Sequence, residues 1–382
     1  MASSRPNIII IGAGPGGLTL AVALKKAGIK ACVYERAPVG LDRGSGLTLW
    51  PNALRALDSV GLGTVIRNLS APLDGIAMFV SRGDELFRLE GSTMQGRFGD
   101  SGLALHRSEL TRALLNQLGD ESVRWGCTCV GLKQNGSGVT AQFADGSEAH
   151  GTVLVGADGL RSEIRSHLFG SHPLRYSGYT VWRGVASMRL RQRVGLTSLG
   201  CGSQFGLFPM ARDRVYWFAS TNAPEGEQDA PDHRKQAVLE RFGAWHAPVR
   251  EVIENTCESA IIRKDIYDMA PLPSWSHQYA TLLGDAAHPS TPDLGQGACQ
   301  AIEDAVVLAR ALAETRETEN ALTLYEQRRL RRTRAISLQA RRIGQAGTWT
   351  NPLACWFRNQ AIRHIPAPLR LRQLEWMFDF KA

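Results

Sequence analysis

The stretch Asn7-Ile-Ile-Ile-Ile-Gly-Ala-Gly-Pro-Gly-Gly17 decides the reading of this chain. Its isoleucines form a β-branched apolar run, which suits a central parallel strand buried on both faces. Glycines follow at 12, 14 and 17, the Gly-x-Gly-x-x-Gly spacing. Gly12 permits a tight turn, Gly14 lets a pyrophosphate reach the backbone, and Gly17 lets a helix pack against the strand. Pro15 and Gly16 complete the turn. A helical pattern from Leu18 to Ala27 stops at Gly28, and a second apolar strand, Ala31-Cys-Val-Tyr34, ends at Glu35. The helix N-terminus offers N–H groups and a positive dipole end to phosphates. Glu35, 18 residues past Gly17, can accept hydrogen bonds from a ribose diol and would repel a 2′-phosphate. A glycine-rich turn without a ligand is the plainer alternative, but strand, helix and terminal acid follow in the order a dinucleotide site needs. FAD and NAD both satisfy this much.

Two further motifs repeat the theme. Val153-Leu-Val-Gly-Ala-Asp158-Gly159 is an apolar strand ending in small residues and an acid, with Arg165 shortly after. Tyr279-Ala-Thr-Leu-Leu-Gly284-Asp285 is a third such strand. Pro292, the turn Gly295-Gln296-Gly297 and a strong helix from Ala298 to about Ala313 follow. Small residues let a cofactor touch the backbone, an Asp at a strand end can bond a ribitol or ribose hydroxyl, and the turn aims a helix N-terminus at whatever lies above it.

With these motifs in order, the chain resembles the single-component flavoprotein aromatic hydroxylases of the p-hydroxybenzoate hydroxylase fold over most of residues 7–330. Thr291-Pro-Asp-Leu-Gly-Gln-Gly-Ala-Cys-Gln-Ala-Ile-Glu-Asp-Ala-Val-Val307 is most similar to the branch holding urate hydroxylase, zeaxanthin epoxidase and salicylate hydroxylase-like enzymes. The resemblance implies an α/β fold: a Rossmann-like FAD-binding domain of the glutathione reductase type, an inserted antiparallel-sheet substrate domain and a C-terminal helical tail. It implies FAD, NADPH or NADH as co-substrate, and O2 activated as a flavin C4a-hydroperoxide. One oxygen atom would then enter a small, fairly apolar substrate by aromatic hydroxylation or alkene epoxidation.

The same resemblance assigns roles. Gly12, Gly14 and Gly17 would hold the FAD pyrophosphate and Glu35 the adenosine ribose, with Arg36 flanking the adenine. Arg107 matches an arginine near the flavin phosphates, and Arg43 is a weaker match for a second. Val130 matches a backbone contact to adenine, Asp158-Gly159 the motif serving both FAD and NAD(P)H, and Gly284-Asp285 the ribityl contact. Pro292 and Gly295, Gln296, Gly297 and Ala298 would pass beneath the isoalloxazine. Each has a structural alternative: Arg107 could cap a helix, Arg36 could be solvated, and Asp158 is a favoured N-cap type. His106 and His288 adjoin these motifs and read as structural.

The middle of the chain alternates, as in Ile76–Val80, Thr180–Val185, Gln204–Phe208 and Arg214–Phe218, the mark of half-buried antiparallel strands. The expected division is a discontinuous FAD domain (1–70, 100–170, 276–330), a substrate sheet (71–99, 171–275) and a helical region (331–382). Pocket candidates are Val181, Arg183, Gln204, Phe205, Leu207, Phe208 and Tyr216. Phe205 and Leu207 share one strand face, and Gln204, Gly206 and Phe208 the other; which face meets the flavin is open. The urate-contacting asparagine and arginine of urate hydroxylase align with Val181 and Gln204, which points to a more apolar substrate.

The 382 residues are 43% hydrophobic and 21% charged, which excludes a disordered chain. The 44 cations include only seven Lys. Residues 310–382 hold 14 cations against six acids and so carry the whole net charge of +8. The rest is neutral and is no nucleic-acid binder. Arg328, Arg329, Arg331, Arg332, Arg334, Arg341 and Arg342 fall on a helix expected over about 321–345. At 100° per residue they cover more than one stripe, and a solvated face is the default reading. The tail beyond, with Trp349, Trp356, Phe357, Trp376 and Phe378, suits a helical lid or peripheral membrane contact.

Seven irregularly spaced cysteines without Cys-x-x-Cys fit a reducing, cytoplasmic setting and exclude a zinc ribbon and a thiol–disulfide flavoenzyme. No metal site is expected. The glycines at 12–17 break the only run that could pass for a signal peptide. A halogenase is disfavoured because no Trp-x-Trp-x-Ile-Pro string occurs; a flavin binder without turnover stays open, as does the oligomeric state.

Overall fold

The structure, a computed structural model, describes residues 7–38, 45–119, 122–230 and 232–380. Its strands are β1 (Asn7–Ile11), β2 (Lys30–Glu35), β3 (Gly46–Leu49), β4 (Ala71–Pro72), β5 (Gly75–Val80), β6 (Glu85–Glu90), β7 (Leu103–His106), β8 (Val123–Trp125), β9 (Cys129–Asn135) and β10 (Gly138–Phe143). They continue with β11 (Glu148–Gly151), β12 (Val153–Gly156), β13 (Arg175–Ser187), β14 (Val194–Leu199), β15 (Ser203–Met210), β16 (Arg214–Asn222), β17 (Ile262–Asp268), β18 (Ser276–His277) and β19 (Ala280–Leu282). The helices are α1 (Pro15–Lys26), α2 (Pro51–Ser59), α3 (Gly63–Leu69), α4 (Gly91–Phe98), α5 (Arg107–Leu118), α6 (Glu163–Phe169), α7 (Arg234–Phe242), α8 (Val249–Glu254), α9 (Gly297–Glu314), α10 (Thr318–Gly347), α11 (Pro352–His364) and α12 (Ala367–Phe378).

A six-stranded sheet, ordered β18-β19-β12-β1-β2-β8, is parallel except for the edge pair β18/β19. β1 is central: Ile8 and Ile10 are fully buried and Ile9 and Ile11 nearly so. Each such side chain contributes about 1.5–3 kcal/mol through burial, which explains an unbroken apolar run here. Helices α1, α5 and α9 share the core with it.

A second sheet of seven strands runs β17-β13-β16-β15-β14-β5-β6. It is antiparallel except for β14/β5, which pair in parallel. The hairpin β5–β6 enters from far earlier in the chain, so no tight turn dictates its direction. One face carries Trp182, Ala186, Phe205, Leu207, Trp217 and Ala219 onto α7 and α8 in a separate core. The other carries Phe208, Met210 and Tyr216 into the core of the nucleotide half.

Helix α10 is 30 residues long, so the division expected at 330/331 falls inside one continuous element. Its arginines are not one solvated face, as the spacing had suggested. Arg329 is 1% exposed: Nε donates to Asp304 Oδ1 at 2.6 Å, Nη1 pairs with Glu303 Oε2, and Nη2 donates to Gln300 Oε1 at 2.7 Å. Arg332 also pairs with Glu303, through Nε at 2.8 Å, and reaches the Trp376 and Met377 carbonyls of α12. Arg341 donates to Asp268 of β17 at 2.8 Å. On the acid side, Asp304 Oδ2 accepts from the Gly284 amide at 3.0 Å and pairs with His288 Nε2 at 2.6 Å, while Glu303 Oε1 accepts from Asn52 Nδ2 at 2.6 Å. The tail divides: Phe378 is buried and stacks on Trp50, whereas Trp349, Trp356, Phe357 and Trp376 are exposed.

Burial alone would raise both buried carboxyls. For Asp304, His288 and Arg329 outweigh it and hold the group at about 2; for Glu303, Arg329 and Arg332 hold it below its ordinary value. Removing one partner of such a cluster leaves an uncompensated buried charge. Arg329→Met should therefore lose about 3–5 kcal/mol in urea unfolding. Because Asp304 is lowered from 3.8 to about 2, its stabilisation is complete above the higher value and fades as pH falls through the lower one. An acid-unfolding midpoint that does not rise in Arg329→Met would contradict this account.

Candidate functional site

Three parallel strands deliver their carboxyl ends to one cleft, the place where open α/β sheets bind ligands: β1 ends at Gly12, β12 leads to Asp158-Gly159, and β19 leads to Gly284-Asp285. Gly12 has φ +110°, and a Cβ there would stand 2.4 Å from the Ala157 carbonyl oxygen. A Cβ on Gly17 would stand 2.1 Å from the Gly12 oxygen, so α1 can begin this close to β1 only with glycine. Gly16 is pressed against Leu283 and Ala301. Gly14 differs: a Cβ there would meet only the Arg107 guanidinium, at 3.9 Å. Pro15 opens α1, whose N-cap, Gly14, offers no side chain to its first-turn N–H groups.

Glu35 closes this loop. Its carboxylate accepts from the Ala13 amide at 2.7 Å and the Ala37 amide at 2.9 Å, leaving lone pairs for a diol. Arg36 is exposed and has no side-chain partner among the described residues. Val130, 49% exposed, lies on edge strand β9, where its carbonyl accepts from His167 Nε2 at 2.9 Å. Arg43 lies outside the described residues. Arg107 begins α5 and faces the cleft, its guanidinium unpaired among the described residues. His106 is structural: its Nδ1 accepts from the Ser108 amide while Glu109 accepts from the His106 amide, a capping box.

Asp158 caps α6. It accepts from Ser162 Oγ at 2.6 Å and from the Glu163 amide at 2.8 Å; burial pushes its carboxyl up, against these bonds. Gly159, at φ +83°, has open space where a Cβ would point. Arg165 straps this loop to the next, donating to Ala286 O at 3.0 Å and Leu160 O at 2.7 Å. Asp285 is open to water along the cleft but walled by protein elsewhere. That burial raises its carboxyl, and His288, Arg107 and Arg165 oppose the shift. A Cβ on Gly297 would stand 3.9 Å from Asp285 Oδ1.

Past Pro292 the chain turns at Gly295, φ +61°, and α9 starts at Gly297, with Ala298 in its first turn and Gln296 as N-cap. Gln296 is fixed from behind, its Oε1 accepting from Asn52 Nδ2 at 2.9 Å. The buried donors Trp50 Nε1 and Gln296 Nε2 beside this turn have no partner among the described residues.

The seven-stranded sheet roofs the cleft. In register, Val181 pairs with Ser220, Arg183 with Phe218, Gln204 with Ser220 and Phe208 with Tyr216, so all seven lie on the face toward the nucleotide half. Phe205 and Leu207, expected as pocket candidates, point the other way, into the core beneath α7 and α8. Strand alternation separates them from Gln204 and Phe208, and the helices take their face. Tyr216 packs its ring on Gly46; burial raises its hydroxyl and Arg183 opposes the shift.

The open spaces over Gly14, Gly159 and Gly297, bounded by an unpaired arginine and an acid, fit an extended dinucleotide such as FAD. The family described as "FAD binding domain" matches residues 5–340. The chain belongs to this family. Over 94% of both chains it is 42% identical to an aurachin C monooxygenase/isomerase of Stigmatella aurantiaca. Over 97% of both it is 34% identical to a 2-heptyl-3-hydroxy-4(1H)-quinolone synthase of Pseudomonas aeruginosa. The structure superposes on Klebsiella pneumoniae HpxO, solved with FAD and uric acid, with a TM-score of 0.91, 31% identity and coverage of 97% of this chain and 96% of that one. The chain is an FAD-dependent monooxygenase, an oxidoreductase that takes electrons from NAD(P)H and oxygen from O2.

Asn52, Arg165 and the Glu303–Asp304–Arg329 cluster were missed as supports of this site. Glu303-Asp304 stands in the motif, but spacing does not tell which of seven nearby arginines turns inward.

Arg107→Ala should weaken FAD binding by roughly ten- to a hundredfold, the worth of lost charge-assisted bonds. Titration of apoprotein by flavin fluorescence measures this. The urea midpoint should not move, since Arg107 ties no protein group.

Proposed function

We propose that this monooxygenase hydroxylates a fused, electron-rich heteroaromatic ring of the quinolone type that carries an apolar substituent. The observation that carries this reading is the roof of the cleft. Val181, Phe208 and Phe218 make it apolar, and Gln204, Ser220 and Arg183 supply a few polar groups beside them. Such a wall suits a flat ring with one or two polar edges and is a poor match for urate, polar on every edge. Two relatives spanning nearly the whole chain are named for aurachin C and a heptylquinolone.

FAD, once bound and reduced, supplies an electrophilic oxygen atom from O2. The protein's share is positional. Gly12, Gly14 and Gly17 with the α1 N-terminus would hold the pyrophosphate, Glu35 the ribose, Arg36 the adenine edge and Val130 its backbone contact. Arg107 would meet the phosphates, Asp158 and Asp285 the ribityl side. The N-terminus of α9, entered through Pro292 and Gly295 to Ala298, would place its positive dipole end under the ring system, favouring negative charge there. The apolar roof would exclude water from the reacting carbon.

The reading is tested by anaerobic flavin bleaching with NADPH and NADH in the presence of 2-alkyl-4-quinolones, salicylate-type phenols and urate. A 2-alkyl-4-quinolone should accelerate bleaching and yield a product gaining one oxygen atom under O2. Equal or faster bleaching with urate would refute the substrate class. Val181→Asn, which buries an amide in the roof, should raise the quinolone KM by about tenfold and leave FAD affinity unchanged.

A further inference from the structure

Among the described residues, ten large apolar side chains are exposed, and eight of them fall between Leu338 and Trp376. This concentrates surface apolarity in the segment that carries the net charge. The densest part is α11. Leu353, Trp356 and Phe357 are 70%, 53% and 64% exposed, and spacings of three and four place them on one helix face. Trp349, 44% exposed, stands just before them.

This face is presented by a fixed helix. Asn351 caps α11 by accepting from the Leu353 and Ala354 amides, at 2.9 and 3.2 Å. On the opposite side Cys355 is buried, and Arg358 donates to Ala346 O at 3.0 Å and Gly200 O at 2.9 Å. The Trp349 carbonyl accepts from the Gly202 amide at 2.6 Å. The helix is thus bound through its polar and small side, and its aromatic side is left outward.

The stretch of chain that carries it is one-signed, although β6, against which α11 packs, presents Glu85 and Glu90. Residues 327–374 contain no Asp or Glu and 11 arginines. Several of these are consumed by ties, such as Arg329 and Arg332 to Glu303 and Arg341 to Asp268. Arg331, Arg334, Arg342 and Arg372 are exposed and have no partner among the described residues.

We propose that α11 and its flanking arginines dock this enzyme on an anionic lipid bilayer, with Leu353, Trp356 and Phe357 entering the headgroup boundary. Exposed indoles beside unpaired arginines match that boundary chemically. A second copy fits less well, because a two-fold contact would bring the same unpaired cations together. Among the described residues no helix is long and apolar enough to cross a membrane, so contact is with one leaflet. Gly344, Gly347 and Thr348, just before Trp349, lie against Gln204 and Ser220 of the sheet, so the segment that leads into α11 is seated on the sheet face that roofs the cleft. The docking itself does not depend on the substrate class.

The test is flotation of the FAD-loaded full chain with vesicles of phosphatidylcholine alone or mixed with phosphatidylglycerol. The chain should float with the mixed vesicles, at least about tenfold less with the neutral ones, and less as salt rises. The triple variant Leu353→Ser, Trp356→Ser, Phe357→Ser should lose flotation by about tenfold or more while keeping its flavin content. Arg342→Gln with Arg372→Gln should lose the anionic preference. Failure of the parent to float, or equal flotation of the triple variant, overturns the proposal. So does a dimer in solution that the triple variant dissociates, which would assign the face to a second copy.

Discussion

The site is held together by one buried ion cluster, in which Arg329 of α10 meets Glu303 and Asp304 of α9. Each partner serves the cleft from behind. Asp304 receives the Gly284 amide and His288, fixing the loop that presents Asp285. Glu303 receives Asn52, whose amide also holds Gln296 at the start of α9. Arg332, paired with the same Glu303, anchors the tail through two carbonyls of α12. Taking these charges out of water is costly, and only mutual pairing offsets it. The cluster therefore admits one arrangement, and the cleft takes its shape from it.

Around this anchor, close approach does the rest. Gly12, Gly16 and Gly17 are needed because backbone or side chains stand where a Cβ would go, while at Gly14 and Gly297 the nearest protein atom is 3.9 Å away and the space is left to a ligand under the proposed function. The same residue type thus meets two demands, distinguishable only once the neighbours are known.

The nucleotide half was legible because its signals are local. An apolar strand, a glycine turn and a terminal acid each act within a few residues, and their order along the chain is their order in space. The double use of Asp158 as helix cap and cleft wall was legible for the same reason. The roof was half legible: alternation separates Gln204 and Phe208 from Phe205 and Leu207, but which set faces inward depends on which layer covers each side. That layer, α7 and α8, lies some thirty residues further along the chain. The arginines of α10 failed for a related reason. Their spacing wraps the helix, so some must turn inward, and the acids that receive them sit on another helix.

The path of the chain has a mechanical consequence. It leaves the nucleotide half for the large sheet between β4 and β5, returns before β7, leaves again before β13 and returns before β18. Four covalent crossings, together with the Arg341–Asp268 tie, brace the roof like a table on four legs. A hinge opening would have to bend all four connections in concert. Where α10 meets the sheet, the Gln204 side chain stands where a Cβ on Gly347 would go, so the seam between roof and helix is closed by close contact and any larger residue there would pry the two apart.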